Sequence, residues 1–484
     1  MPKIDTLSVR NQLESLRAEF SQLSAEGKVS QDVGLLFKSL LGLVELLVAI
    51  FMEKTTKKTS KNSSKPSSQT EKDESSKSIK GSNSRGKVQT DNCFSSSQTQ
   101  ETVELSTVSS CDVCGEDLTR VSCEQHERRT KIDIVFTKVV QHVDAEIKTC
   151  PECANVVKGE FPDDMPGPLQ YGNGLKAFLI NLVVTQMIAL GRVQKMIATI
   201  IGVAISESSI LKYILQLYNS LEEWENSAKN VILKSKVMHC DETSLRVNKK
   251  NHWVHSYSSG DITLKFLHPK RGCAAIDDIG IVPRYGGVII HDCWSAYFSY
   301  ANCLHALCGS HLLRDLVFVI DSNGYAWAKS MKRLLQNTCR IISKRKSKKL
   351  NATEYAKLQK RYRTIITKGE KSMPPLPTRE NGKRGKIAKS DAHNLLERLK
   401  KHETGVLMFA RIAYVSFTNN RAERDLRMDK VKQKVSGCFR SETLAKAYCR
   451  ISSYLSTMAN RGVNPLIAIQ MALAGKAPIE KGGE

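Results

Sequence analysis

The sequence predicts a multidomain α+β protein. At 484 residues the chain is long enough for roughly two to four domains, and its hydrophobic content of 41% is typical of a globular protein. Helical spacing of apolar residues dominates both ends of the chain, whereas short strand-like runs separated by turns begin at residue 231. Two CxxC pairs precede these elements and indicate a small metal-binding domain.

Residues 1–53 are predicted to form a helical element. Its second helix is strongly apolar from Gly34 to Phe51, but Lys38, Gly42 and Glu45 recur at helical spacing. This interruption favours a buried or oligomerising amphipathic helix over a membrane span. The first helix has the spacing of a short coiled-coil seam, formed by Leu13, Leu16, Phe20 and Leu23. We therefore expect a homo-oligomer.

Residues 54–108 contain Ser, Thr, Lys and Gln with almost no apolar side chains, which predicts a disordered linker. The N-terminus lacks the apolar segment of a secretory signal. Most of the 14 cysteines are scattered singly, as is usual in a reducing compartment. These observations predict a cytoplasmic protein that does not bind a membrane.

Residues 109–156 carry the clearest metal-binding signal. Two CxxC pairs flank the β-rich stretch Lys131–Thr149, and each pair can supply two thiolates from one tight turn. The spacing predicts a zinc ribbon whose ligands are Cys111, Cys114, Cys150 and Cys153. A redox-active disulfide pair is the alternative interpretation. Alternative ligands without the CxxC spacing are Cys123, His126 and His142.

Residues 165–228 are predicted to be a helical domain. One helix should end at Ile201-Gly202 and the next should be capped near Ser206 or Ser208, which gives a helix-turn-helix pattern. The second helix carries Lys212 as its one basic residue. DNA recognition and plain helical packing are therefore equally compatible with this domain.

From residue 231 the pattern changes to strands. The runs VMHCDET, NHWVHSYSS and DITLKFLHP are separated by turns and predict an antiparallel meander. Farther on, an entirely apolar strand from Val288 to Ile290 ends at His291-Asp292. Such a strand is typical of a position that is buried on both faces of a sheet.

The positive charge of the chain is concentrated in one segment. Residues 329–402 are predicted to be helical and contain 23 Lys and Arg against 5 Asp and Glu, which is +18 of the formal net charge of +24. A surplus of this size indicates a polyanionic partner, and nucleic acid is the usual one. Solubility and contact with an anionic membrane are the alternative interpretations of the overall charge.

Three acidic residues occupy positions from which they can converge. Asp241 follows the first strand of the meander, Asp292 follows the buried strand, and Glu423 opens a helix after the basic segment. Three carboxylates around one point suit Mg²⁺ or Mn²⁺. Two such ions can act on the attacking and leaving oxygens of a phosphodiester displacement.

Each acid also has a purely structural interpretation. Asp241 could cap a turn with Thr243, and Asp292 could cap a helix that begins at Trp294. Glu423 could form a capping box with Asn420. Other residues near the acids in sequence are more typical of packing, namely His291, His305, His311 and Trp294.

Four long motifs resemble the transposases of the insertion-sequence-66 type, a DDE transposase family. They are HCDETSLRV, RGCAAIDDIG, YGGVIIHDCWSAYFSYANCLHALCGSHLLRDL and FTNNRAERDLRMDKVKQKVSGCFRS. The resemblance implies a ribonuclease-H-like catalytic core in which Asp241, Asp292 and Glu423 match the DDE triad. It also implies that Lys430 is the basic residue that such enzymes place on the glutamate helix to hold DNA.

The resemblance further implies how the second half of the chain is divided. The ribonuclease-H-like core would comprise residues 231–328 and 409–460, with a basic helical insertion at 329–408. A C-terminal helix and tail would follow at 461–484. The zinc ribbon and the helical N-terminal elements would precede this core.

The predicted function is therefore that of a DNA transposase that cuts at the ends of its element and joins the freed 3′-hydroxyl ends to target DNA. A ribonuclease-H-like nuclease without strand transfer and a non-catalytic zinc-ribbon DNA-binding protein are the alternatives. The resemblance implies small accessory proteins from the same element and a nucleoid-associated location of the bacterial type. Phosphate contacts are expected from Arg421, Arg424, Arg427, Lys430, Lys432 and Lys434.

Overall fold

The computed structural model describes residues 6–59, 61–63, 103–134, 136–376 and 389–479, and it is a mixed α+β structure. The described residues fall into two compact units. The first contains the N-terminal helices and Leu221–Thr457, and the second contains the described residues between 103 and 220 together with Met458–Ala477. Most of the predicted linker, 54–108, lies outside the described residues.

Helices are the dominant elements of the described chain, and strands occupy two places in it. The helices are α1 Thr6–Ala25, α2 Gln31–Thr55, α3 Asn173–Val184, α4 Leu190–Ile201, α5 Glu207–Ser220, α6 Glu222–Lys234, α7 Cys273–Ile279, α8 Gly309–Asn323, α9 Ala326–Lys344, α10 Ala352–Ser372, α11 Asp391–Lys401, α12 Glu403–Arg411, α13 Asn420–Ser436, α14 Glu442–Asn460 and α15 Pro465–Leu473. The strands are β1 Ile147–Thr149, β2 Val156–Lys158, β3 Val237–Val247, β4 Lys250–Ser259, β5 Ile262–His268, β6 Val288–His291 and β7 Leu304–Leu307.

The first unit contains a five-stranded sheet with the spatial order β5-β4-β3-β6-β7. β3, β4 and β5 pair antiparallel, which confirms the predicted meander. β6 pairs parallel with β3, and β7 pairs parallel with β6. The long strand β3 is therefore central, with an antiparallel neighbour on one side and a parallel neighbour on the other.

Two tight turns build the antiparallel half of this sheet. Asn248 and Lys249 connect β3 to β4 with φ angles of 47° and 61°. Positive φ at both positions is the type I′ geometry, whose twist matches that of paired strands. Gly260, with a φ of 54°, begins the connection from β4 to β5. Because both connections are short, the register of the meander is fixed locally.

The main hydrophobic core of the first unit joins β6 and β7 to helices α8–α12. All four residues of β6 are buried, as the sequence predicts. The basic segment contributes apolar side chains to this core, among them Met331, Leu335 and Tyr362. Lys360, Arg363 and many other basic side chains of the same helices are exposed. The segment is thus helical in its described part and buries one face while exposing the other.

The antiparallel half of the sheet is covered by α6, α13 and α14. α13 packs against β3 and β4, and α6 packs against β4 and β5. Trp224 of α6 lies edge-on to Tyr454 of α14, with ring centroids 5.1 Å apart. α6 belongs to the first unit, since the second unit breaks off at Ser220 and resumes at Met458.

The N-terminal helices α1 and α2 form a hairpin, and the C-terminal end of α2 is bound to α8 and α11. The rings of Phe20 and Phe37 stack with centroids 4.3 Å apart. Near the end of α2, the buried Glu53 carboxylate accepts hydrogen bonds from the backbone N–H groups of Asp391 and Ala392 at the start of α11. It also accepts one from Asn323 Nδ2 at 3.0 Å. A carboxylate is favourable there because a helix N-terminus carries partial positive charge.

One face of α2 carries large apolar side chains that remain exposed. They follow helical spacing and are between 42% and 73% exposed, namely Leu36, Leu40, Leu43 and Leu47. By length and composition α2 is also apolar enough to cross a membrane. A helix that packs against other helices of a soluble protein can be equally long and apolar.

The second unit contains the helices α3, α4, α5 and α15 and the two-stranded hairpin of β1 and β2. α4 ends at Gly202, which has a φ of 65°, and its N–H bonds back to Ala198. Ser206 Oγ accepts a hydrogen bond from the Ser209 N–H at 3.1 Å and so caps the start of α5. α4, this turn and α5 have the helix-turn-helix arrangement that the sequence predicts.

Candidate active site

The sheet and α13 bring the three predicted acids together. Asp241 lies within β3, and Asp292 follows the last residue of β6. The parallel register pairs His239 with Ile290, so two residues farther along the same register Asp241 lies beside Asp292. Glu423 lies in the first turn of α13, which packs against β3.

The electrostatics of Asp241 reflect this convergence. Burial raises the pKa of Asp241 well above its usual range, and the carboxylates of Glu242, Asp292 and, more weakly, Glu423 raise it further. The three carboxylates therefore share one neighbourhood, although their oxygen atoms do not all lie within 4.8 Å of one another. The donor set consists of oxygen atoms, which suits hard divalent ions.

The structure agrees with the structural interpretation of Asp292 but not with those of Asp241 and Glu423. Asp292 Oδ1 does accept a hydrogen bond from the Trp294 N–H at 3.0 Å. Asp241 lies inside a strand, where it accepts from the Glu242 N–H at 2.9 Å and caps no turn with Thr243. The capping box of Glu423 is absent, because Asn419 is the N-cap residue of α13 and makes no side-chain cap bond.

The Glu423 carboxylate instead faces the start of α8. Its Oε1 lies 3.4 Å from His311 Nδ1, 3.7 Å from Arg314 Nη2 and 3.9 Å from Cys308 Sγ. His311 could be noted from the sequence because it lies near the acids, whereas Cys308 and Arg314 were not identified. Their spacing of three residues each along α8 is the signal that would have placed all three on one helix face.

Asn419 is a third residue beside the acids that reasoning from the sequence did not identify. It is fully buried, and its Oδ1 lies 2.9 Å from His239 Nδ1 while its Nδ2 donates to the Cys240 carbonyl at 2.7 Å. Its backbone N–H donates to Cys308 Sγ at 3.1 Å. Asn419 therefore ties β3, the start of α8 and the start of α13 to one another beside the acids.

We expect Asn419→Ala to destabilise the first unit by about 2–4 kcal/mol, because it leaves the buried partners on His239 and Cys240 unsatisfied. Equilibrium unfolding in urea, followed by tryptophan fluorescence, measures the change. The exposed neighbour Asn420 is the matched control, and Asn420→Ala should leave stability almost unchanged. Equal stability of the two variants would contradict the role assigned to Asn419.

A fourth carboxylate, Glu242, lies beside the acids but is already engaged. Burial and the Asp292 charge raise the pKa of Glu242 to about 7, against the lowering effect of Arg271. Arg271 Nε donates to Glu242 Oε1 at 2.9 Å, and Tyr297 donates its hydroxyl to Oε2 at 2.9 Å. The guanidinium of Arg271 stacks between two indole rings, those of Trp253 and Trp294. Glu242 thus connects Arg271, which precedes α7, to Tyr297, which follows Asp292 in the chain.

The six basic residues predicted to contact phosphate divide between two faces of α13. Arg421 donates to the carbonyls of Gly260 and Ile262. Lys430 Nζ donates to the Ser244 carbonyl at 2.6 Å and to its hydroxyl at 2.9 Å. Lys432 is buried, whereas the side chains that remain exposed are Arg424, Arg427 and Lys434.

Polar contacts also hold the inner face of α13 on the sheet. Asp425 accepts hydrogen bonds from Ser258 at 2.5 Å and Thr263 at 3.1 Å. One turn later, Asp429 pairs with Lys265 of β5 at 3.2 Å, and both side chains are almost completely buried. These contacts fix the helix that carries Glu423.

In the second unit, each predicted CxxC pair forms a tight turn. The N–H of Gly115 bonds to the Cys111 carbonyl, and the N–H of Ala154 bonds in the same way to the Cys150 carbonyl, both at 2.9 Å. Backbone N–H groups lower the pKa of the Cys111 and Cys150 thiols. Within the described part of the chain, however, the four sulfur atoms do not gather into one cluster. The zinc ribbon stays a prediction.

Comparison with known proteins adds one finding. A family model described as the Transposase IS66 family matches residues 168–447, which is more than half of the chain. The matched range contains Asp241, Asp292 and Glu423. No curated protein matches the sequence.

Proposed function

Because this chain belongs to the IS66 family of transposases, we propose that it is a DDE-type transposase with Asp241, Asp292 and Glu423 as its catalytic residues. Membership of the family gives it a role in transposition and in DNA processing. The proposed reaction is metal-dependent cleavage at the element ends followed by strand transfer of the 3′-hydroxyl ends into target DNA. The observation that carries this proposal is that Asp292 and Glu423 both lie near Asp241 on the central strand of the sheet.

The arrangement of the sheet supports a ribonuclease-H-like core. Asp241 lies on the central strand, and Asp292 follows the neighbouring parallel strand. Glu423 reaches the same place from a helix that follows the basic segment. Rigid strands and a helix anchored by buried polar contacts hold all three carboxylates, which is what a preorganised metal site needs.

In this proposal Asp241, Asp292 and Glu423 hold two Mg²⁺ or Mn²⁺ ions. The chemistry that such ions supply when bound is activation of the attacking oxygen and neutralisation of charge on the leaving oxygen. The raised pKa of Asp241 fits this role, because a divalent cation would remove the repulsion among the carboxylates. Glu242 does not need to bind an ion, since Arg271 and Tyr297 already satisfy it.

The assay that tests the proposal uses DNA that flanks the gene for this protein, where inverted repeats would mark the element ends. Labelled end duplexes report cleavage, and pre-cut ends report strand transfer into a plasmid, both with Mg²⁺. Cleavage without joining of pre-cut ends would instead identify a nuclease. DNA binding with neither reaction would identify a non-catalytic DNA-binding protein.

The outer face of α13 is proposed to hold the DNA backbone near the acids. We expect a variant with Arg424→Ala, Arg427→Ala and Lys434→Ala to bind DNA more weakly whatever its sequence. The logarithm of the DNA association constant falls linearly with the logarithm of the salt concentration, and the magnitude of this slope should decrease by about 2–3. Each phosphate contact contributes about 0.9 to it. Fluorescence anisotropy with duplex DNA at several salt concentrations measures the slope.

A charge-matched control for this variant is available on the N-terminal helices and their turn. Lys28, Lys38 and Lys54 are exposed there, and their triple replacement by alanine removes the same charge. The slope for the control should stay close to that of the unmodified protein. If both variants lower the slope equally, net charge rather than the α13 face determines DNA affinity.

The remaining parts of the chain are proposed to supply recognition and assembly. The two CxxC turns would bind zinc and, with α4 and α5, recognise the element ends. The exposed apolar face of α2 would pair with another copy of the chain, which makes the transposase a homo-oligomer. Small accessory proteins of the same element are further proposed partners, and the cytoplasm with its nucleoid is the proposed location.

A further inference from the structure

The surroundings of Glu423 contain a second set of metal-binding atoms. Cys308 Sγ, His311 Nδ1 and a Glu423 oxygen all lie within 4.8 Å of one another. Within the described residues, these three side chains are the one group of three or more metal-binding side chains gathered this closely. The set contains one sulfur, one nitrogen and one oxygen atom, and so differs from the all-oxygen set of the three acids.

The distances in this group suit a tetrahedral ion. Ligand atoms about 2.0–2.3 Å from a tetrahedral ion lie about 3.5 Å from one another. In the structure, Glu423 Oε1 lies 3.4 Å from His311 Nδ1 and 3.9 Å from Cys308 Sγ. Thiolate and imidazole ligands favour zinc-class ions, whereas Mg²⁺ prefers oxygen ligands and octahedral geometry.

Cys308 lies at the start of α8, where its sulfur atom contacts a backbone N–H group. It is the N-cap residue of α8, and its buried sulfur accepts a hydrogen bond from the Asn419 N–H at 3.1 Å. Hydrogen bonds of this kind orient metal-binding sulfur atoms and stabilise their negative charge.

His311 is ready to act as a ligand. Its Nδ1 is buried and makes no hydrogen bond in the described structure. A buried polar atom without a hydrogen bond is costly, and an ion bound to it would remove that cost.

We propose that Cys308, His311 and Glu423 form a binding site for a zinc-class ion, and that zinc bound there inhibits the transposase. Glu423 is a member of both donor sets, so a carboxylate held by zinc is withdrawn from the magnesium site. The inhibitory part rests on the proposed function, whereas the binding part does not. Arg314 competes with the ion, because its Nη2 lies 3.7 Å from the same Glu423 oxygen.

Zinc binding by the full-length protein tests the site directly. Competition with a chromophoric chelator gives the number of zinc ions bound and their affinity. Cys308→Ser combined with His311→Ala should remove one zinc ion or weaken its binding at least 100-fold. Cys303→Ser, which changes another buried cysteine, is the matched control and should bind zinc like the unmodified protein.

Two further variants separate this site from the predicted ribbon and from a folding defect. Cys111→Ser combined with Cys114→Ser should lose ribbon zinc but keep the ion at Cys308. Arg314→Gln should bind zinc several-fold more tightly, because it removes the competing cation and needs no ligand to change. An unchanged number of zinc ions in the Cys308/His311 variant, or unchanged affinity in Arg314→Gln, would overturn the proposed site.

Zinc titration of Mg²⁺-dependent DNA cleavage tests the inhibition. Cleavage should fall as the site fills and recover when Mg²⁺ is raised or a zinc chelator is added. Cleavage that persists when the site is saturated with zinc would overturn the inhibition. If the protein cleaves no DNA even without zinc, the proposed function fails, and the zinc-binding measurements still decide the site.

Discussion

Glu423→Gln should abolish metal-dependent DNA cleavage and strand transfer while leaving the fold intact. Glutamine keeps the size of the side chain and its place in the first turn of α13, but it removes the negative charge. A divalent ion contributes several kcal/mol to a phosphodiester displacement. Weakening its binding by about 4 kcal/mol would slow the reaction about 10³-fold. Single-turnover cleavage of an end duplex with Mg²⁺ measures the rate.

The control for this variant is the same substitution at another helix start. Glu442 lies exposed in the first turn of α14, and Glu442→Gln should cleave DNA at the unmodified rate. Thermal unfolding should show similar melting temperatures for both variants. A Glu423→Gln protein that cleaves and joins DNA normally would refute Glu423 as a metal ligand. A variant that is inactive because it is unfolded would point to a structural role.

Lys265→Met should destabilise the first unit by about 3–5 kcal/mol. Lys265 and Asp429 are 1% and 0% exposed, so the substitution leaves the carboxylate buried without a cation. Burial already raises the pKa of Asp429, and the Lys265 charge opposes that rise. Because Asp429 lies on the same helix as Glu423, DNA cleavage should decline together with stability. Equilibrium urea unfolding measures the change.

The double variant Lys265→Met with Asp429→Leu separates a lost charge pair from lost packing. Replacement of both partners by apolar residues removes the unpaired charge, so most of the lost stability should return. Lys446→Met is the surface control, since its partner Glu442 is exposed and lies one helical turn away. If the double variant is as unstable as Lys265→Met alone, packing rather than charge accounts for the loss.

The sequence was sufficient to predict the elements that depend on local pattern. The apolar run Val288–Ile290 predicted a buried strand, and the turns between the three strand-like runs predicted the meander. Asp292 was identifiable because it directly follows the apolar strand, whereas Asp241 was predicted to follow its strand and instead lies inside β3. Glu423 was identifiable from its position in a long motif, and its charge acts on Asp241 more weakly than the charges of Glu242 and Asp292.

Residues that act through distant contacts could not be predicted in the same way. Asn419 and Cys308 lie in segments without a marked period, and their partners are more than 100 positions away along the chain. The division of α13 into an inner and an outer face could not be predicted from the sequence either. Its inner face is held by polar side chains such as Asp425 and Lys430, so hydrophobic periodicity does not reveal it.

The contacts of Asn419 also join parts of the chain that are synthesised far apart in time. Its side chain bonds to residues that are translated 179 and 180 positions earlier, and its backbone bonds to one 111 positions earlier. The acids on β3 and β6 therefore emerge from the ribosome long before the helix that completes their site. Contacts of such long range form late in folding. In the proposed mechanism, a chain that has been synthesised only as far as residue 400 lacks Glu423 and cannot cut DNA.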